Sequence, residues 1–289
     1  MVHKKHHPPI IMNHQLLFIL SLYFCLYSCQ AEKTLPIVVK QEIDGQWKSL
    51  TSINQSKPLE RNEAAFVKVK DQLLLLGGRG IKPVSIYNLK EQRWTEGAKP
   101  PIELHHFQPV VFKDKVYIIG ALTGPYPAEK PVTHIYIYDP NVDSWTKGAS
   151  IPKSRLRGST GVALYNDKIY VVCGIKNGHI GDHKKWLDVY DPTTDTWNIL
   201  RDAPRPRDHF QAVAKDGKIY IIAGRLSKAP DEVFLHTVKE VDIYDIAQNK
   251  WSTSKNDLPS LRAGNLATVY NEEIPVSYTH LTLPTIYSV

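Results

Sequence analysis

The chain has 289 residues, with 36 Lys and Arg against 29 Asp and Glu, a net charge of +7 and 42% hydrophobic residues. So mild a basic excess, with no clustered stripe, excludes a nucleic-acid-binding surface. Of three cysteines, Cys25 and Cys29 lie in an N-terminal apolar run, so Cys173 alone remains and neither a disulfide framework nor a Cys-rich metal site is expected.

In chain order the first element is the apolar run "IIMNHQLLFILSLYFCLYSC" at 10–29, behind Lys4 and Lys5. A charged start followed by such a run predicts a signal peptide over residues 1–28. The run lies too near the N-terminus, with polar chain close behind, to predict a lasting membrane span. Leu26, Tyr27, Ser28 and Cys29 resemble a bacterial lipobox. That resemblance implies lipidation of Cys29 and an exported protein, lipid-anchored in the bacterial cell envelope at the outer membrane or in the periplasm. The alternative is an ordinary cleaved signal and a secreted protein, and Met12 stands as an alternative start. Residues 29–46 then form a linker.

From Trp47 onward the chain repeats itself. Trp47, Trp94, Trp145, Trp197 and Trp251 recur at a period near fifty residues, which calls for a repeat architecture. A Tyr stands seven residues before each of the last four, in "YNLKEQRW", "YDPNVDSW", "YDPTTDTW" and "YDIAQNKW". Upstream come apolar strands ending in small residues: "LLLLGG" at 73–78, "VYIIGA" at 116–121, "IYVVCG" at 169–174 and "IYIIAG" at 219–224. Each follows a tight-turn signal, "KDQ", "KDK", "NDK" or "KDGK", as a hairpin requires. No segment shows a long helical period with caps.

This unit resembles the Kelch repeat, whose small-residue pair, Tyr and Trp follow in the same order. The resemblance implies an all-β fold, a Kelch-type β-propeller with four-stranded blades at about residues 61–100, 101–152, 153–204 and 205–259, and part of a fifth at 260–274. Residues 47–50, within "GQWKSL" at 45–50, read as an outer strand closing the ring, so the propeller spans 47–274 within a natural ring of six or seven blades. Tyr and Trp are expected to pack between blades, and Cys173, in place of a Gly, to act as a small core hydrophobe. The final stretch "VSYTHLTLPTIYSV" at 276–289 resembles the translation of a transposon-library sequencing adaptor, which implies an assembly artefact on a truncated chain.

In such propellers the loops between blades and those after the second strands emerge on one face around a channel. Here those loops hold Arg61, Glu63, Arg79, His105, His106, Arg157, His179, His183, Arg207, His209, Arg225 and Arg262. Aligning blade starts puts Arg61, His105, Arg157, Arg207 and Arg262 at one position. A ring of guanidinium groups suits a carboxylate, sulfate or phosphate, whereas an Arg at a Kelch blade start can equally bond neighbouring loops. His105, His106, His179, His183 and His209, with Asp182 and Asp208 near, lack metal-ligand spacing, so no metal and no other cofactor is assigned. The matching "HHF" and "DHF" favour a repeat-derived structural role.

Copper radical oxidases resembling galactose oxidase need a Tyr-linked Cys that Cys173, inside a strand, cannot supply. Sialic-acid mutarotases of this fold imply Arg and a carboxylate on the channel face, with Arg61, Glu63, Arg79, Arg157 and Arg207 as candidates. No nucleophile elbow, phosphate loop or HExxH occurs. The expected function is therefore a cell-envelope binding module for a glycan, glycoconjugate or protein on the channel face, monomeric when complete, with membrane contact through its lipid anchor only. An acidic-sugar mutarotase or epimerase is the alternative.

Overall fold

The computed structural model describes residues 52–278 and 285–288. The leader, Cys29 and residues 47–50, expected to close the ring, lie outside the described residues.

The first blade comprises β1 (Ala64–Val69), β2 (Gln72–Gly77), β3 (Ser85–Asn88) and β4 (Arg93–Glu96). The second has β5 (Pro109–Phe112) and β6 (Lys115–Ile118), a small hairpin of β7 (Leu122–Thr123) and β8 (Lys130–Pro131), then β9 (His134–Asp139) and β10 (Ser144–Ser150). A 3-10 turn at Lys153–Arg155 leads to the third: β11 (Gly161–Tyr165), β12 (Lys168–Val172), a hairpin of β13 (Ile175–Asn177) and β14 (Gly181–His183), β15 (Leu187–Asp191) and β16 (Thr196–Ile199). The fourth holds β17 (Gln211–Lys215), β18 (Lys218–Ile222), β19 (Asp242–Asp245) and β20 (Lys250–Thr253). Each of these is a four-stranded antiparallel sheet. A three-stranded sheet follows, of β21 (Leu266–Ala267), β22 (Pro275–Tyr278) and β23 (Thr285–Ser288).

Local chemistry explains the hairpins. Lys113 and Asp114, Asn166 and Asp167, and Asp216 and Gly217 take successive positive φ values, the conformation that the right-handed twist of the flanking strands demands of a two-residue turn. The Tyr-to-Trp spacing fixes the next hairpin: Tyr87, Tyr138, Tyr190 and Tyr244 face Trp94, Trp145, Trp197 and Trp251 directly across β3/β4 and its equivalents. Their ring centroids lie 4.9 to 5.2 Å apart. The Tyr138, Tyr190 and Tyr244 hydroxyls donate to Asp143, Asp195 and Asn249, each five residues on, and so close the turn between the paired rings.

The core sits between blades rather than within one. Leu74, Leu76 and Leu104 pack with Val116, Ile118 and Tyr138 across the first two blades. Ile119 and Ile135 meet Val162 and Ile169 across the next pair, and Val172 and Leu187 meet Phe210 and Ile219 across the last. Burial of Ile222 and Val241 continues onto Ala267, Ile274 and Val276 of the last sheet. Polar links run the same way. Trp145 Nε1 donates to Ala98 O at 3.1 Å, and Trp251 Nε1 to Arg201 O at 2.8 Å. Cys173 is fully buried, with φ of +51° in the place where the first two blades have Gly77 and Gly120. Burial pushes its thiol up to about 12, with Arg207 and Arg157 opposing.

Candidate functional site

Each blade starts with a chain crossing that turns through one left-handed residue: Glu63, His106, Ser159, His209 and Gly264, with φ between 51° and 69°. All five line one cavity of about 330 Å³, together with the residues that follow them, Ala64, Phe107, Thr160, Phe210 and Asn265. This is the channel, and the repeat delivers one short side-chain pair to it per blade. Gln108 ties three blades together just outside. Its Oε1 accepts from Val162 N at 3.0 Å and Ala212 N at 2.9 Å, while its Nε2 donates to Ala212 O at 2.7 Å.

The register corrects the alignment of the blade-start arginines. Gly78, Gly174 and Gly224 donate their backbone N–H to the carbonyls of Leu104, Arg207 and Arg262, so Leu104, not His105, occupies the arginine position. His105 instead matches Gly158 and Asp208, whose backbones bridge to Leu122, Ile175 and Arg225 in the same way.

Nor do those arginines form an anion ring. Arg61 donates to Gly77 O, Pro83 O and Ser85 Oγ. Arg157 donates to Cys173 O and Val171 O and pairs with Asp188 at 2.7 Å. Arg207, fully buried, donates to Ala223 O and Glu240 O and pairs with Asp242 at 2.5 Å. Arg262 donates to Ser260. A guanidinium fork directed at the carbonyls of its own blade anchors the strands and presents no charge to a ligand. Burial lowers the pKa of Arg157 and Arg207, and Asp188 and Asp242 work against that shift.

The remaining candidates converge. Arg79 and Arg225 follow the small-residue pairs of the first and fourth blades. Arg79 pairs with Glu63 at 2.5 Å, contacts Glu129 and donates to Gly124 O at 3.1 Å. His106 Nε2 is 3.3 Å from Glu63, and its Nδ1 is 2.7 Å from His105 Nδ1. His179 Nδ1 lies 3.0 Å from buried Glu129 Oε1. Asp208, also buried, holds His209 Nδ1, His183 Nε2 at 2.7 Å and Ser227 Oγ at 2.8 Å. Arg225 Nη2 reaches His209 Nε2 at 3.0 Å, and its guanidinium lies 4.5 Å over the Phe234 ring. The rings of His106, His179 and His209 lie 4.7 to 5.0 Å apart, His106 T-shaped against each of the other two and His179 tilted against His209.

Electrostatics define what this site can take. Burial opposes ionisation of Glu63, but the His106 and Arg79 hydrogen bonds prevail and hold its pKa at about 2. Glu129 is lowered against its burial by Arg79 and His179, Glu103 by the N–H groups of Gly80 and Gly124, and Asp208 by His209 and His183. Burial pushes the imidazoles of His105 and His106 down to about 4, and that of His209 down as well. At neutral pH, therefore, four carboxylates and the uncharged imidazoles of His105 and His106 face two guanidinium groups. Such a site disfavours an anion and favours a cation or a neutral hydrogen-bonding group.

Sequence spacing gave no hint of this convergence, because His106, His179 and His209 come from three different blades. Glu129, the carboxylate joining Arg79 to His179, lay unmarked in a loop without period, as did Ser227, while Glu103 and Asn265 stood unmarked at blade starts. The one available signal was the matched "HHF" and "DHF", which puts His106 and His209 at equivalent positions of two blades and by itself favours a structural role; their rings lie 4.7 Å apart.

Blades of four antiparallel strands, packed face to face around a polar channel, define a β-propeller. The family model described as Attractin/LZTR1 beta-propeller matches residues 27–277. The chain belongs to the Kelch-repeat β-propeller family. It is 28% identical over 239 residues to Kelch-like protein terF of Aspergillus terreus, covering 77% of this chain and 50% of that protein. It is 30% identical over 203 residues to the human Kelch repeat and BTB domain-containing protein 12, covering 64% of this chain and 31% of that protein. The chain thus spans half or less of the length of these relatives. A solved structure titled "Structure of YjhT" superposes with a TM-score of 0.66 at 16% identity, covering 79% of this chain and 75% of that one, a likeness of fold.

Proposed function

We propose that the chain is a binding module that docks a protein partner on the rim of its channel face. One observation carries this reading. Each of the four loops that follow the second strands exposes a large apolar side chain: Ile81, Tyr126 and Ile180 are about half exposed, and Phe234 and Leu235 are 74% and 70% exposed. These loops touch one another around the channel, through Arg79 to Gly124, His179 to Pro127 and Ala229 to His179. Clustered apolar side chains around a polar depression mark an interaction surface, with aromatic members as anchors. A protein fits better than a glycan, because the carboxylates, imidazoles and guanidinium groups of the channel already bond one another and the rim adds large apolar side chains. The acidic-sugar reading loses support for the same reason: of its five candidates, Arg61, Arg157 and Arg207 are committed to backbone carbonyls and Arg79 to two carboxylates.

Peptide display selected against the purified chain, run beside a glycan array, tests this. The expected result is a set of peptides that lose binding to a Phe234→Asp, Leu235→Asp variant. Glycan binding with no peptide selected, or peptides that bind the variant unchanged, would contradict it. Export and a lipid anchor at Cys29 form part of the same proposal and rest on the leader residues alone. Radiolabelled palmitate incorporated into the chain but not into Cys29→Ala supports the anchor, and equal labelling or none removes it.

A further inference from the structure

We infer that the channel holds a divalent transition-metal ion of the Zn²⁺ class, ligated by His106, His179 and His209. One ring nitrogen from each lies within 4.8 Å of those of the other two. A tetrahedral ion with bonds of about 2.1 Å needs ligand nitrogens roughly 3.4 Å apart, so modest side-chain rotation closes the triangle.

What surrounds the rings strengthens this reading. Both His179 and His209 give Nδ1 to a fully buried carboxylate, Glu129 and Asp208 respectively. A carboxylate on Nδ1 fixes the tautomer that leaves Nε2 as the lone-pair nitrogen, and it raises the basicity of that nitrogen, the arrangement that supports metal-bound histidine. His106 Nε2 lies 3.3 Å from Glu63 Oε1, so a carboxylate stands beside the third ligand as well, and the fourth position is left to water. The excess of carboxylates over guanidinium groups supplies the compensating charge. A second, independent sign comes from Asn265. It is buried and lines the same cavity as His106 and His209, yet neither its Oδ1 nor its Nδ2 has a hydrogen-bond partner among the described residues. A buried amide in that state points to an ordered polar occupant, such as water on the ion.

One group opposes the ion. Arg225 Nη2 donates to His209 Nε2 at 3.0 Å and must leave for the metal to enter. Its bond to Ser227 and its stacking on Phe234 hold it when displaced. This competition makes a specific prediction, because removing the guanidinium should tighten metal binding instead of weakening it.

The experiment is a titration of the metal-stripped, folded chain with Co²⁺, read by its visible absorption, followed by Zn²⁺ in competition with a chromophoric chelator. One equivalent should bind with the intense bands of a four-coordinate ion. His179→Ala should abolish those bands, and Asp208→Asn should weaken binding by about 10- to 100-fold. Arg225→Met should tighten it, and His236→Ala, whose ring pairs with Glu232 away from the cluster, should leave it unchanged. The inference is overturned if the folded wild-type chain takes up no Co²⁺. It is equally overturned if uptake persists in His179→Ala, or if Arg225→Met binds no more tightly than wild type.

Discussion

Arg207 shows how a residue that looks functional in sequence serves the fold. Its guanidinium is fully buried, binds the carbonyls of Ala223, just after β18, and Glu240, just before β19, and neutralises Asp242. Arg207→Ala should therefore cost about 3–5 kcal/mol in urea unfolding, because it leaves the Asp242 charge buried and unpaired. Arg207→Lys should recover only part of that, since an ammonium cannot reproduce the fork. Unaltered unfolding of both variants would return the arginine to the list of ligand-binding candidates. Cys173 carries the opposite lesson. With its pKa pushed up to about 12 by burial, the thiol stays protonated from pH 7 to 9, and iodoacetamide should label it in the native chain at a negligible rate that does not rise across that range. Peptide mapping after unfolding should then show full labelling, whereas native labelling that increases with pH would refute the buried placement.

At the scale of elements, the link between blades is polar as well as apolar. Asp143 Oδ1 accepts from the Tyr138 hydroxyl and from Ala98 N of the preceding blade, both at 2.6 Å. Tyr138→Phe should destabilise the chain by about 1 kcal/mol, and Asp143→Ala by more, since it strips a backbone donor of its partner. Gln108→Leu should cost about 2–3 kcal/mol for the same reason, as two N–H groups and one carbonyl in adjacent blades lose their bonds. Thermal or urea unfolding of the three variants gives the ranking, and an indifferent Gln108→Leu would rule out this tie. Much of this level was legible in the sequence. A Tyr and a Trp separated by a Pro- or Asn-rich turn specify a hairpin register, and small-residue pairs mark where backbones meet: a Cβ on Gly77 would stand 2.5 Å from Leu104 O. The blade-start register was not legible. The second blade has Leu104 where its neighbours have Arg, so matching ionisable residue to ionisable residue displaced His105 by one, and only the backbone bridges reveal the shift.

For the whole molecule, the repeat separates two tasks that composition alone merges. Arginines at the blade starts hold strand ends, while histidines and carboxylates from separate blades meet in the channel. That meeting depends on the angular placement of blades, which is why no local spacing announced it. The rim is separate from the anchoring arginines and meets the channel where Phe234 lies under Arg225: Phe234→Ser with Leu235→Ser should leave the unfolding free energy within the change typical of surface positions, about 0.5 kcal/mol, while abolishing partner binding. A large loss of stability would show those side chains to be part of the core. The division between anchoring arginines and a cation-holding channel is tested most directly by anomalous diffraction from crystals of this chain soaked in Zn²⁺ and, separately, in bromide. The account predicts a zinc peak among His106, His179 and His209, and no bromide at Arg61, Arg157 or Arg207. Bromide bound along those arginines, with no zinc in the channel, would contradict it.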